Sequence, residues 1–259
     1  MAASVLGTDE PIIVRFAVRA AFPRFLMLAL FAVAMGYLEA AAVLYLRTLY
    51  GGIDPVGPRN PPMSPLPDFG AIEIAREAAT MAMLAAVGWL AGPRRARFGA
   101  FVMAFGMWDT CYYAFLWLLT GWPASPLAPD ILFLMPLPWW GPVIAPVLIA
   151  ALMVVGGGLA MARELGDGLP RMRASTCLVM AVGCVLCLTA FMLDAIGTLP
   201  HGLAAAFEVR GGPFPWPLYA VGLVVMSAGA LLAIAQRHDG YAGRLLRARS
   251  QAAANAPLD

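Results

Sequence analysis

Long apolar runs dominate this sequence and restrict the folds that it can adopt. An α-helix needs about 20 apolar residues to cross the hydrocarbon core of a bilayer. Charged residues make up only 12% of the chain and the mean hydropathy is +0.78, whereas about a quarter of the residues in a soluble domain are charged. The runs also lack the strict alternation of a membrane β-barrel strand. We therefore expect an all-α, polytopic membrane helix bundle with six spans near Phe25–Leu46, Ile72–Gly92, Phe98–Leu119, Trp139–Ala162, Ala174–Leu193 and Phe214–Ala235.

The distribution of arginine predicts the orientation of these spans, because short arginine-rich loops remain on the cytoplasmic side of a membrane. All 17 basic residues are arginines, and only Arg47, Arg59 and Arg210 fall in the loops predicted to face outward. The opposite side carries Arg15, Arg19, Arg24, Arg94, Arg95, Arg97, Arg163, Arg171, Arg173, Arg237, Arg244, Arg247 and Arg249. We predict that both termini are cytoplasmic in a cell membrane of the bacterial inner-membrane type. Residues 1–24 are then a cytoplasmic segment, 25–236 the membrane domain and 237–259 a disordered tail.

Proline distinguishes the predicted outer loops from the inner ones. The segment Gly51–Phe69 is rich in proline and is expected to be extended and non-helical. In the loop Gly121–Pro138, Asp130 is placed to cap a short apolar helix, Ile131–Met135, at the outer interface. The aromatic belt of that interface is predicted to include Trp122, Trp139, Trp140 and Trp216.

Ionisable residues inside the predicted spans are the best indication of function. Glu39, Glu73, Arg76, Glu77 and Asp109 lie within three otherwise apolar segments. A charge at the bilayer centre costs from about 3 to more than 10 kcal/mol, so such residues usually face a bundle interior and mark a functional site. At about 1.5 Å per residue, all four carboxylates fall in the middle-to-outer half of the membrane.

Helical spacing groups these residues further. Glu73, Arg76, Glu77 and Thr80 recur at the intervals of one helix face. Asp109, Tyr112 and Tyr113 follow the same rule on the third span, so the predicted binding residues are Glu39, Glu73, Arg76, Glu77, Asp109, Tyr112 and Tyr113. Four carboxylates against one arginine give a formal charge of −3, which a low dielectric does not tolerate. Either protons or a hard divalent cation such as magnesium, calcium or manganese must neutralise the excess.

A packing role remains an alternative for part of this cluster. Glu73 is near a helix N-terminus, where the helix dipole favours an acidic side chain. Arg76 can form an ion pair with Glu77 or Glu39 that only fixes helix packing, and the tyrosine hydroxyls can simply satisfy a carboxylate. Glu39 and Asp109 are harder to explain in this way, because they are predicted to lie deeper.

The composition excludes several kinds of chemistry. The sequence contains no lysine, so neither a Schiff-base lysine nor a P-loop lysine is available. His201 and His238 lie outside the apolar runs, which argues against a bis-histidine haem or a histidine-rich metal site within the spans. A net charge of +2 argues against nucleic acid as a partner. Cys184 and Cys187 have the CxxC spacing, but cysteine in a membrane helix usually behaves as a small apolar residue.

Three classes of function remain open. The favoured one is cation- or proton-linked binding or translocation at the polar cluster. The next is an accessory or assembly subunit, in which the polar residues hold helices together and the partners are other membrane subunits. The last is an enzyme acting on a lipid or lipid-linked substrate, with a carboxylate as general base and Arg76 holding an anionic headgroup. In every case the lipid bilayer is a partner.

Overall fold

Apolar helices make up most of the computed structural model, which describes residues 9–49, 69–166, 173–209 and 211–233. The proline-rich segment 50–68 and the tail 237–259 lie outside the described residues. In chain order the elements are α1 (Asp9–Leu49), α2 (Phe69–Trp89), α3 (Arg94–Thr120), β1 (Pro129–Phe133), β2 (Trp139–Pro142), α4 (Ile144–Gly166), α5 (Ala174–Thr198), a 3₁₀ turn (Leu199–His201), α6 (Leu203–Glu208) and α7 (Trp216–Ala233).

Five segments of these helices are long and apolar enough to cross a membrane, which confirms the class of helical membrane protein. They are Phe22–Thr48, Ala96–Thr120, Ile144–Ala162, Ala174–His201 and Trp216–Ala233. Helix α2 is not among the five. It has the length of a span, with 21 residues, but it carries Glu73, Arg76 and Glu77 in its first half.

The predicted outer loop Gly121–Pro138 contains the first strand and the turn of a β-hairpin, so the short helix expected at Ile131–Met135 is wrong. Strands β1 and β2 pair antiparallel, with Asp130 opposite Gly141 and an irregularity between Ile131 and Phe133. Branched and aromatic side chains favour extended backbone, and the prolines that follow the first strand do not continue a helix. Among the described residues, the hairpin is the exception to the expected all-α structure.

The second strand of the hairpin shows that the fourth span does not begin at Trp139, as was predicted. Residues Trp139–Pro142 form β2, and α4 begins at Ile144. A residue that precedes proline is disfavoured in the helical conformation, so Gly141 and Pro142 keep the chain extended until the helix begins.

The chain divides into two compact units, and the first contains Met1–Gly168 and Leu188–Pro215. Within it, α3 packs closely against its neighbours at small residues. A Cβ added at Gly106 would lie 2.4 Å from the carbonyl oxygen of Ala150 in α4, and one added at Gly36 would lie 2.9 Å from Cβ of Cys111. Near its end, α2 meets α3 at Gly88, where an added Cβ would be 3.0 Å from Cα of Phe101. These close contacts bring the polar faces of α1, α2 and α3 together.

The second unit contains Leu169–Cys187 and Trp216–Asp259. Its described part consists of the first half of α5 and helix α7, which approach closely at glycine. A Cβ added at Gly183 would lie 2.4 Å from the amide nitrogen of Met226. The Cys187 thiol lies 3.8 Å from the carbonyl oxygen of Tyr219, so the cysteine is part of this packing.

Candidate functional site

The polar residues of α2 lie on its buried face. Glu73, Glu77 and Thr80 are buried, and the same face continues through Leu84 and Gly88. Residues three and four apart share one side of a helix, so the buried polar residues and the buried apolar residues form one continuous face of α2. The polar residues of this face lie nearest the start of α2, where they contact α1 and the β-hairpin.

Arg76 links two glutamates that belong to different helices. Its Nε and Nη2 donate to Oε2 of Glu73 at 3.0 and 2.8 Å, and its Nη1 contacts Oε1 of Glu39 in α1. A guanidinium that holds two carboxylates in this way is a strong, directional connection between helices. The predicted residues Glu39, Glu73 and Arg76 therefore converge, and their contacts are those of an interhelical ion-pair network.

Glu77 is hydrogen-bonded to the hairpin and interacts electrostatically with the neighbouring Arg76. The amide N–H of Leu134, which follows β1, donates to both carboxylate oxygens of Glu77 at 2.9 and 3.0 Å. This carboxylate accordingly fixes the hairpin turn to α2.

Asp130 is a site residue that the sequence reasoning missed. Its side chain is only 1% exposed, and it accepts hydrogen bonds from Nη2 of Arg47 at 3.0 Å and from the hydroxyl of Tyr113 at 3.1 Å. Burial raises the pKa of Asp130 to about 6, although Arg47, the Tyr113 hydroxyl and the Ile131 amide act in the opposite direction. The sequence did offer one signal, since Arg47 is one of only three arginines in the loops predicted to face outward.

Asp109 differs from the other acidic residues of the cluster. It is half-buried near the middle of α3, and within the described part of the chain no hydrogen bond or ion pair reaches its carboxylate. The groups that interact with it electrostatically are Asp130, Tyr112 and Tyr113. Its turn of α3 lies close to α1, because a Cβ added at Gly36 would be 3.0 Å from the amide nitrogen of Tyr112.

The two tyrosines connect the parts of the cluster. Their ring centroids are 4.8 Å apart with the planes inclined by 60°, and Tyr113 donates to Asp130. Tyr112 is close enough to interact electrostatically with both Arg47 and Arg76. Arg47 itself lies over the ring of Trp122, 4.3 Å from its centroid. The site therefore runs without a break from the Arg76 network to the Arg47 network, across the face of α3 that carries Asp109.

The carboxylates of the site outnumber the arginines that face them. Five carboxylates (Glu39, Glu73, Glu77, Asp109 and Asp130) face two arginines, which leaves a formal charge of −3 if all are ionised. Among the described residues no three Asp, Glu, His or Cys side chains come together in a way that could hold a metal ion. The hard divalent cation remains a prediction, and the excess charge still has to be neutralised.

Comparison with known proteins found no matching family, no curated relative and no similar solved structure. Function is therefore inferred from the geometry and electrostatics of the site itself.

Proposed function

We propose that this protein is a multi-pass membrane protein that binds or translocates protons, with Asp109 as the group that takes up the proton. The observation that carries the proposal is the difference between Asp109 and its neighbours. Arg76 holds Glu39 and Glu73, the Leu134 amide holds Glu77, and Asp130 is held by two donors. Asp109 has no such partner among the described residues, although it lies within a membrane-spanning helix.

A proton fits this site better than a divalent cation does. Calcium takes six to eight oxygen ligands and magnesium requires an octahedral set, whereas Asp109 is a single carboxylate whose acidic neighbours already have donors. A proton needs only one carboxylate oxygen. Its uptake also reduces the negative excess that the low dielectric of the bundle disfavours.

The two arginine networks form the frame of the site in this proposal. Arg76 connects α1 with α2, and Arg47 connects α1 with the hairpin. Both arginines lie within electrostatic reach of Tyr112, one turn from Asp109 on the same helix. We assign Glu39, Glu73 and Arg76 to positioning the helices, and Asp109 with its adjacent tyrosines to the proton.

Helix α2 is, in the same proposal, a sixth span, and both termini lie in the cytoplasm. Three features support this. The first half of α2 contacts Glu39 in the second half of α1, its other end meets the first half of α3 at Gly88, and its charged side chains have partners in the bundle. Helix α2 thus runs antiparallel to α1 and α3 and extends over the same depth of the bundle. The arginine distribution favours the cytoplasmic termini and a bacterial-type inner membrane.

The topology can be tested with an impermeant thiol reagent on intact cells. The four native cysteines are replaced by alanine, and Ser4→Cys or Ser125→Cys is then introduced. If α1, α2 and α3 all cross the membrane, Ser125→Cys is labelled and Ser4→Cys is protected until the cells are permeabilised. Protection of both, or labelling of both, in intact cells would place the two positions on the same side of the membrane and would contradict a membrane-spanning α2.

The proton site can be tested with dicyclohexylcarbodiimide, which modifies protonated carboxyl groups in apolar surroundings. Mass spectrometry of the purified protein should find the adduct on Asp109, in an amount that falls as the pH rises. Asp109→Asn should abolish this adduct and Glu39→Gln, as the matched control, should retain it. Absence of an adduct on Asp109 at every pH would refute the proposal, and protection by magnesium or calcium would favour the cation instead.

An accessory or assembly subunit is the second candidate, and a specific observation favours it. The contacts of Arg76, Arg47, Glu77 and Tyr113 fasten α1, α2, α3 and the hairpin to one another, as expected if the polar residues serve packing alone. In that case Asp109 has no special chemistry. Asp109→Asn would then leave carbodiimide modification of the whole protein unchanged, whereas the proton site requires the modification to be lost.

A further inference from the structure

The turn between α2 and α3 carries a concentration of positive charge at the point where a membrane-spanning segment begins. Helix α2 ends at Trp89 and α3 begins at Arg94, and the segment of α3 that is apolar enough to cross a membrane begins at Ala96. Three of the first four residues of α3 are arginines, namely Arg94, Arg95 and Arg97. The turn therefore places basic residues where lipid headgroups meet the protein.

This positive charge is not fully neutralised by carboxylates of the chain. The sequence contains no acidic residue between Glu77 and Asp109. Within the ranges that the structure describes, neither Arg94 nor Arg97 forms an ion pair. Even when Glu164 in the last turn of α4 is counted against them, the three arginines leave an excess of two positive charges. The turn can therefore attract an anion.

Arg97 is held in place by two contacts within the turn. Its Nε donates to the carbonyl oxygen of Gly92 at 2.8 Å, and its guanidinium carbon lies over the ring of Trp89, 4.2 Å from the centroid. The negative face of an indole ring attracts a guanidinium, and the fork of a guanidinium matches two oxygens of a phosphate group. Because Arg97 is already oriented, it loses less side-chain freedom when an anion binds.

Large apolar side chains flank these arginines and favour a lipid over a soluble anion. Trp89 is 64% exposed, Leu90 is 82% exposed and Phe98 is 67% exposed. Tryptophan is enriched at the level of the headgroups in membrane proteins. The phosphate of an anionic lipid can pair with the arginines while its glycerol and upper acyl groups cover the apolar side chains. Inorganic phosphate would leave those side chains uncovered.

We propose that the α2–α3 turn is a binding site for an anionic phospholipid, with Arg94 and Arg97 donating to the phosphate and Trp89 packing against the glycerol region. The site is separate from the proposed proton site, because Arg94 lies about 22 Å along the axis of α3 from Asp109 at about 1.5 Å per residue. The inference therefore does not depend on the function proposed for Asp109.

Quenching of tryptophan fluorescence by brominated lipids tests this site, because bromine quenches only at short range. The full-length protein is reconstituted in phosphatidylcholine vesicles with an increasing fraction of brominated phosphatidylglycerol or of brominated phosphatidylcholine. The signal of Trp89 is the difference between wild type and Trp89→Phe. A basic side chain near an anionic membrane surface contributes about fivefold in affinity, so two arginines should lower the fraction of phosphatidylglycerol needed for half-quenching of Trp89 about 30-fold relative to phosphatidylcholine. Equal quenching by the two lipids would overturn the proposal.

Variants assign the preference to this turn. Arg94→Gln and Arg97→Gln should each reduce the preference for phosphatidylglycerol about fivefold. Arg24→Gln is the matched control, since it removes the same charge from an exposed position on α1, and it should leave the preference unchanged. If Arg97→Gln does not fold, because Arg97 also holds Gly92, Arg94→Gln decides the question, since the side chain of Arg94 is exposed. An unchanged preference in Arg94→Gln, or a loss of the preference in Arg24→Gln, would refute the assignment.

Inorganic phosphate distinguishes a lipid site from a site for a soluble anion. Replacement of chloride by phosphate at constant ionic strength should leave the preference for phosphatidylglycerol unchanged, because free phosphate gains nothing from the apolar side chains of the turn. Loss of the preference in phosphate would show that a soluble anion occupies the arginines and would overturn the lipid site.

Discussion

Replacement of Arg76 by glutamine should destabilise the protein, because it leaves two carboxylates without their cation. Arg76 contacts both Glu73 and Glu39, whose side chains are 11% and 13% exposed, while the arginine itself is 28% exposed. Removing one partner of a buried ion pair costs about 3–5 kcal/mol. Because the arginine is partly exposed, solvent screening reduces this, and we expect Arg76→Gln to lower the free energy of unfolding by about 2–3 kcal/mol.

The assay is reversible unfolding in mixed micelles, with the free energy of unfolding taken from the transition. Glu39→Gln and Glu73→Gln added to Arg76→Gln should recover at least half of the loss, because no unpaired carboxylate remains. Arg24→Gln is the matched control: its side chain is exposed, and it should change stability by less than about 0.5 kcal/mol. A loss below about 0.5 kcal/mol in Arg76→Gln would refute the view that the ion pairs connect α1 and α2.

Three further predictions use the same unfolding measurement. Gly106→Ala should cost about 1–3 kcal/mol, because its new methyl would lie 2.4 Å from the Ala150 carbonyl oxygen, whereas Gly156→Ala meets nothing within 4 Å and should cost nothing; equal costs would refute the close α3–α4 contact. Tyr113→Phe removes the donor to Asp130 and should cost about 1–3 kcal/mol; a cost of zero would show that the bond contributes nothing. The stability difference between wild type and Asp130→Asn should fall by up to about 3 kcal/mol as the pH rises from about 3 to about 7, because the pKa of Asp130 is raised to about 6 by folding; a difference that rises over this range would contradict the sign.

The membrane helices are predictable from sequence because their signal is local. Twenty consecutive apolar residues can satisfy their backbone in a bilayer only as a helix, so the run within Ala174–His201 predicts its own structure. The hairpin is different. Its residues are as apolar as those of a short interfacial helix, and the choice between the two depends on where Pro136, Pro138 and Pro142 stand, together with contacts to Arg47 and Glu77 that come from distant parts of the chain.

The sequence indicated which ionisable side chains lie within the apolar helices, but not how these side chains pair. Burial cost alone selected Glu39, Arg76 and Asp109, because each is expensive within an apolar helix. Which carboxylate pairs with an arginine depends on the rotation of each helix about its axis. The apolar pattern of the sequence does not determine this rotation closely enough to predict the ion pairs. Asp130 was missed for a related reason, since a loop residue bears no burial cost until the loop folds back onto the helices.

Infrared spectroscopy of the protein in lipid tests the central claim most directly, because protonated and ionised carboxyl groups absorb at different carbonyl frequencies. At neutral pH we expect a protonated carboxyl band in wild type that disappears in Asp109→Asn and persists in Glu39→Gln and Glu73→Gln, whose parent carboxylates are held by Arg76. A band that is unchanged in Asp109→Asn, or that is missing from wild type, would contradict a proton held at Asp109.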